Sequence, residues 1–108
     1  MPIDIEPIRR AFERRALSGD LDVQDANPER NGNAYEGGFV AFLTGRAARA
    51  EVHVGRYIAE VVYDENSAGQ SIHPIPELSS EEAIGDALAD QKVDEAVRRI
   101  RHHIDRER

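Results

Sequence analysis

The stretch that most restricts the fold of this chain is YIAEVVYD, Tyr57 to Asp64. Tyr57, Ala59, Val61 and Tyr63 alternate with Ile58, Glu60, Val62 and Asp64. A period of two places the charged groups on one face of a strand whose other face meets a core. DENSAG, from Asp64 to Gly69, is turn chemistry, and Gln70 to Ile75 then returns as an antiparallel neighbour, ended by Pro74 and Pro76. Upstream, FVAFL at Phe39 to Leu43 reads as a strand buried on both faces or nearly so. Glu51 to Val54 is either a separate strand or the first part of one long strand bent at Gly55.

Helical signals flank this β region. Asp4 and Pro7 precede Ile8, Ala11, Phe12 and Ala16 at helical spacing, and Gly19 is placed to end the element, which predicts a helix from about Ile5 to Ser18. Farther on, Ser79 is a good N-cap, with Glu82 three residues later to complete a capping box. Glu81, Glu82 and Asp86 suit the positive end of a helix dipole, and Arg98, Arg99, Arg101 and Arg106 suit the other end. Together they predict a helix from about Ser80 to Asp105, roughly 39 Å long if unbroken and able to overhang a body of this size. Its apolar residues do not form one stripe. Ile84 and Leu88 lie about 140° from Val93, Val97, Ile100 and Ile104 at 100° per residue, so the helix is either broad-faced or broken near Asp90, which would then cap a new segment.

The expected fold is therefore α+β: an N-terminal helix, an antiparallel sheet of three or four strands and a long C-terminal helix, with both helices packed on one sheet face. At 108 residues, 1–108 reads as a single domain. Residues 20–34, DLDVQDANPERNGNA, are rich in Asp, Asn, Pro and Gly and read as a mobile loop. There is no cysteine, no apolar run long enough to span a bilayer and no signal-like start, which makes the expected location cytoplasmic, away from membranes.

Charge is unevenly placed. Residues 57 to 97 carry ten carboxylates against one lysine, a net −9, whereas residues 98 to 108 carry +3, within a total of −7. The order helix, strands, helix is that of the double-stranded-RNA-binding domain, but such a module needs basic side chains at the start of its last helix. Here Ser79, Ser80, Glu81 and Glu82 stand there, which argues against direct nucleic-acid binding. Counted from Asp20, a calcium loop would need glycine and an acid where Asp25 and Asn31 stand. His53, His73, His102 and His103 offer no paired metal spacing, so neither metal nor cofactor is expected. No phosphate-loop, dinucleotide or nucleophile-elbow motif is present. Glu36, Glu51, Glu60 and Asp64, with His53, Tyr57 and Tyr63, are the available acid–base groups.

Tyr57 to Ile100, with YIAEVV, DENSAG, PEL and then GDAL six residues later, faintly resembles the degenerate RNase H-like domain of HicB antitoxins, which has strands, a PEL-type element and a GD-led helix. The match covers under half the chain, lacks the glycine and cysteine usual after that element and has no DNA-binding module, so the chain is not assigned to the family.

These features favour a small acidic interaction protein of the inhibitor, immunity, antitoxin or anti-defence type. It would bind a basic surface of a protein target through Glu77, Glu81, Glu82, Asp86 and Asp90. The alternative is a self-associating accessory or structural subunit, a homodimer joined through Val93, Val97, Ile100 and Ile104. A small enzyme is the third class.

Overall fold

The computed structural model describes residues 3–19, 21–27, 29, 35–65, 69–78 and 84–106. Among the described residues the elements follow one another as α1 (Ile5–Leu17), β1 (Asp22–Asp25), β2 (Phe39–Thr44), β3 (Arg49–Val54), β4 (Ala59–Asp64), β5 (Gln70–Pro74) and α2 (Asp86–Ile104), with a short 3-10 turn at Pro76–Leu78 before α2. The strands form one antiparallel meander in sequence order, β1-β2-β3-β4-β5. The fold is thus the expected α+β arrangement with a five-stranded sheet. No helix among the described residues is long and apolar enough to cross a membrane.

The alternation in YIAEVVYD does what its period requires. Ala59, Val61 and Tyr63 enter the core, while Glu60, Val62 and Asp64 remain half-exposed on the other face. Tyr57 does not belong to that strand. Gly55 N–H donates to the Ile58 carbonyl at 2.8 Å, closing a turn that separates β3 from β4 and leaves Tyr57 70 % exposed. The predicted hairpin forms, pairing Glu60 with Pro74 through Asp64 with Gln70. The fifth strand lies in the stretch whose composition predicts a mobile loop: Asp22–Asp25 pairs with β2. Only Val23 in DVQD has the side chain of a typical strand former, but an edge strand with mostly exposed residues can carry aspartates.

One core unites the elements. Phe39, Ala41 and Leu43 from β2, Ala50, Val52 and Val54 from β3, and Ala59, Val61 and Tyr63 from β4 share a cluster with Ile8, Ala11 and Phe12 of α1 and with Ala89, Val93, Ala96, Val97, Ile100 and Ile104 of α2. Strand residues of one parity therefore meet both helices, so the helices cover a single face. They run parallel, because Arg10 pairs with Asp86, Arg14 with Asp90 and Arg15 with Asp94, in rising order on both.

The second helix begins later than predicted and does not break. Its N-cap is Gly85, in extended conformation, and it continues unbroken past Asp90 to Ile104. Ile84 lies outside it, its N–H donated to the Asp4 carboxylate at 3.1 Å, and Leu88 is 44 % exposed. Removing those two from the stripe and adding Ala89 and Ala96 resolves the mismatch in phase. At 19 residues the helix is about 28 Å long and fits within a body 39 Å in its longest dimension, leaving no overhang. Ser79, Glu81 and Glu82, and with them the capping box, lie outside the described residues.

The C-terminal end of α2 is held by the β2–β3 turn. Ala47 and Ala48 N–H both donate to the Ile104 carbonyl, at 2.7 and 3.2 Å, and Arg101 donates to the Thr44 carbonyl at 2.8 Å. The turn satisfies helix-end acceptors that have no partner within the helix.

Candidate functional site

The sheet face turned away from the helices carries three cross-strand rows. They are Gln24–Val40–His53–Glu60–Pro74, Asp22–Phe42–Glu51–Val62–Ile72 and Thr44–Arg49–Asp64–Gln70. The first row is covered at one end by Tyr35, whose ring centroid lies 5.2 Å from that of His53, and there Val40 and His53 are buried. The second row is open. Phe42 and Val62 are half-buried and Ile72 is 62 % exposed. Asp22, Glu51, Glu60 and Asp64 set carboxylates around these apolar side chains, and among the described residues of the three rows the arginine is Arg49, which stands 3.9 Å from Asp64.

Three of the acid–base candidates converge here. His53 Nε2 lies 3.3 Å from Glu51 Oε2, and Glu60 is the cross-strand partner of His53. His53 Nδ1 is buried and has no hydrogen-bond partner among the described residues. A buried polar atom without a partner is uncommon enough to mark the position. Burial, and after it the charge of Glu60, raises the Tyr35 phenol above its ordinary range, so it stays protonated and neutral beside the imidazole. Tyr35 was not singled out in the sequence, because nothing local links it to a histidine on β3. Glu36 follows Tyr35 in its turn, Tyr57 lies in the β3–β4 turn, and Tyr63 enters the core on the opposite face.

The acidic residues expected to bind a partner have partners in the chain itself. Asp86 accepts from Arg10 at 3.0 Å, Asp90 from Arg14 at 2.6 Å, and Asp94 bridges Arg15 and Arg98. Glu77 receives two bonds from Arg99, at 2.7 and 2.9 Å. Glu81 and Glu82 are outside the described residues. Among the described residues, α1 thus pairs with three carboxylates of the −9 segment, Asp86, Asp90 and Asp94. Exposed pairs of this kind contribute little stability each, but they fix the relative register of the helices. Val93, Val97, Ile100 and Ile104 are at most 2 % exposed. They are occupied by the chain's own sheet and α1, which corrects their assignment to self-association.

A second polar cluster closes the far end of the helix side. Tyr63 lies between His73 and His103, with ring centroids 5.6 and 4.1 Å away, and His103 Nε2 sits 2.8 Å from Glu65 Oε1. Tyr63, His73 and His103, with Arg99, His102 and Arg106, line a depression of about 290 Å³. Burial raises the Tyr63 phenol above its usual range, opposed by the Arg99 charge. Most of these groups are matched to one another, so the cluster works as a clamp joining β4, β5 and α2. Among the described residues no group of three or more His, Asp or Glu is placed to hold a metal ion.

The clamp has a pH signature. The hydrogen bond from Arg99 holds the Glu77 carboxyl below its ordinary value of 4.5, with burial opposing it. A depressed carboxylate contributes stability that is fully present above the unfolded value and is lost as pH falls through the folded one. Glu77→Gln should therefore cost about 1 kcal/mol at neutral pH. In urea titrations that difference should shrink as pH drops below 4.5 and vanish once pH is below the folded value, and a cost independent of pH would remove the ion pair as its cause.

No protein-family model, curated protein or solved structure matches this chain.

Proposed function

We propose that the protein is a small binding factor that inhibits or neutralises a protein target by laying its open sheet face over it. One observation supports this reading above others: among the described residues both helices lie on one side of the sheet, and the other side carries Phe42, Val62 and Ile72 in one cross-strand row, with Glu51 between Phe42 and Val62, Asp22 at the row's end and Glu60 in the next row. Apolar side chains exposed among polar ones are a usual composition of a recognition surface. Its carboxylates call for a target with an apolar centre and a basic rim. The inhibitor, immunity, antitoxin and anti-defence classes all work by such occlusion. The binding residues move from the helix acids to the sheet because Glu77, Asp86 and Asp90 already have arginine partners.

The test compares capture of a partner from the native host's lysate by three forms: wild type, Glu51→Lys/Glu60→Lys, and Asp86→Asn/Asp90→Asn. Retention should fall with added salt, drop about tenfold in the first variant, a loss of roughly 1.4 kcal/mol, and hold in the second. Loss in the second variant alone would return the site to the helix acids. Equal retention in all three would remove electrostatic docking through the sheet.

A second reading, a small enzyme, rests on the His53–Glu51 pair beside Tyr35, which has the composition of a general base and its orienting carboxylate. Its mark would be thermal stabilisation by a small molecule that His53→Gln abolishes while protein capture is kept.

A further inference from the structure

We propose that the β5 edge is a self-pairing interface, through which two copies of this chain join antiparallel about a two-fold axis at Ile72 and merge their sheets into one.

Hydrogen-bond parity along β5 assigns its free groups. Ile75 N–H donates to the Ala59 carbonyl and Glu65 N–H to the Gly69 carbonyl, each at 3.0 Å. In an antiparallel ladder, positions that exchange bonds with a neighbour alternate with positions that do not. With this register, Ser71 and His73 direct their main-chain groups to β4. Gln70, Ile72 and Pro74 direct theirs outward, and all three are exposed. The outward groups complement a second copy. About an axis at Ile72, that residue exchanges both of its bonds with its counterpart, and each Gln70 N–H reaches the Pro74 carbonyl of the other copy. Only the Gln70 carbonyl is left to water, because Pro74 has no N–H.

Charge selects this edge and this partner. The other edge, β1, carries Asp22 and Asp25 in four residues, so two such edges repel. QSIHP contains no aspartate, glutamate, lysine or arginine, in a chain of net charge −7. A neutral strand neither repels its own copy nor recruits a charged one. It also lacks the bulges and charged side chains that usually keep edges apart.

Side chains agree with the backbone on both faces. On the open face Ile72, at 62 % exposure, meets its counterpart with Val62 behind each, so the apolar row continues across the axis. On the helix face Ser71 of one copy lies opposite His73 of the other, a hydroxyl against an imidazole. The inference goes beyond target binding and does not depend on it, since the interface is the strand edge and the docking test reads Glu51 and Glu60.

Sedimentation of the full chain over a concentration series tests the proposal, together with two variants. Wild type should reach a dimer. Ile72→Lys, which puts two ammonium groups at the axis, should weaken association at least tenfold while keeping the circular dichroism of the folded chain. Ile72→Cys supplies a second readout that does not rely on tolerance of lysine. The chain has no other cysteine, and residues bonded directly across an antiparallel pair stand about 5.5 Å apart at Cα, within disulfide reach. Under mild oxidation it should become a covalent dimer at least tenfold faster than Leu17→Cys, a control exposed at 90 % far from the edge. A wild type that stays monomeric throughout, a dimer unaffected by Ile72→Lys, or equal cross-linking of the two cysteine variants would each overturn it. So would a β5 edge that pairs only with a strand of another protein.

Discussion

Gly45→Ala should lower the stability of the protein by about 3 kcal/mol, the upper part of the range for overpacking a tight site. A Cβ at this position would stand 2.4 Å from the Ile104 carbonyl oxygen and 2.5 Å from Ile104 Cγ1. The oxygen belongs to the helix end that also receives Ala47 and Ala48 N–H, so it cannot retreat without losing both bonds. Gly45 is not in the left-handed region, so the cost is steric. Gly85→Ala is the control: nothing lies within 4 Å of its Cβ position and its φ is −83°. Urea unfolding should move the midpoint strongly for the first and little for the second. Equal midpoints would mean that the end of α2 is not seated on the β2–β3 turn.

Phe12→Ala should cost about 4 kcal/mol, a large part of the stability of a domain this size. Phe12 is fully buried, and its ring meets Phe39 at 5.3 Å between centroids with a 58° tilt. This ring pair joins α1 to β2. The ring pair beyond simple burial contributes about 1 kcal/mol, which a double-mutant cycle with Phe39→Ala isolates. Leu17→Ala, at the exposed end of the same helix, should change stability by less than about 0.5 kcal/mol. If Phe12→Ala proved as mild as Leu17→Ala, α1 would not be part of the core.

Periodicity carried the elements that have it. YIAEVVYD with its turn, FVAFL and the Ile8–Phe12 stripe of α1 were legible because each has one hydrophobic face and clear punctuation. β1 was not, since an exposed edge strand needs no apolar alternation and DVQD offers none. The start of α2 was misplaced because Ile84 and Leu88 counted as core while Ala89 and Ala96, small but fully buried, did not. The matching of charges was missed for a different reason. Arg10 and Arg14 stand four apart, as do Asp86, Asp90 and Asp94, and these equal spacings were visible. That the helices bearing them lie side by side and parallel is a property of the whole topology. The open-face cluster of Tyr35, Glu51, His53 and Glu60 likewise depends on strand register, which no single segment encodes.

The union of Ile104 with the turn at Ala47 and Ala48 also orders events on the ribosome. The last strand of the sheet ends at Pro74, whereas the second helix packed on its apolar side ends at Ile104. At ~5–20 residues per second the two emerge on the order of seconds apart. Through that interval, of the two described helices, only α1 is available to the nascent sheet, because contacts between distant parts of a chain cannot form before the later part exists. The hazard of aggregation therefore falls during synthesis, and the final helical turn, by locking onto a hairpin made long before it, ends the period of exposure.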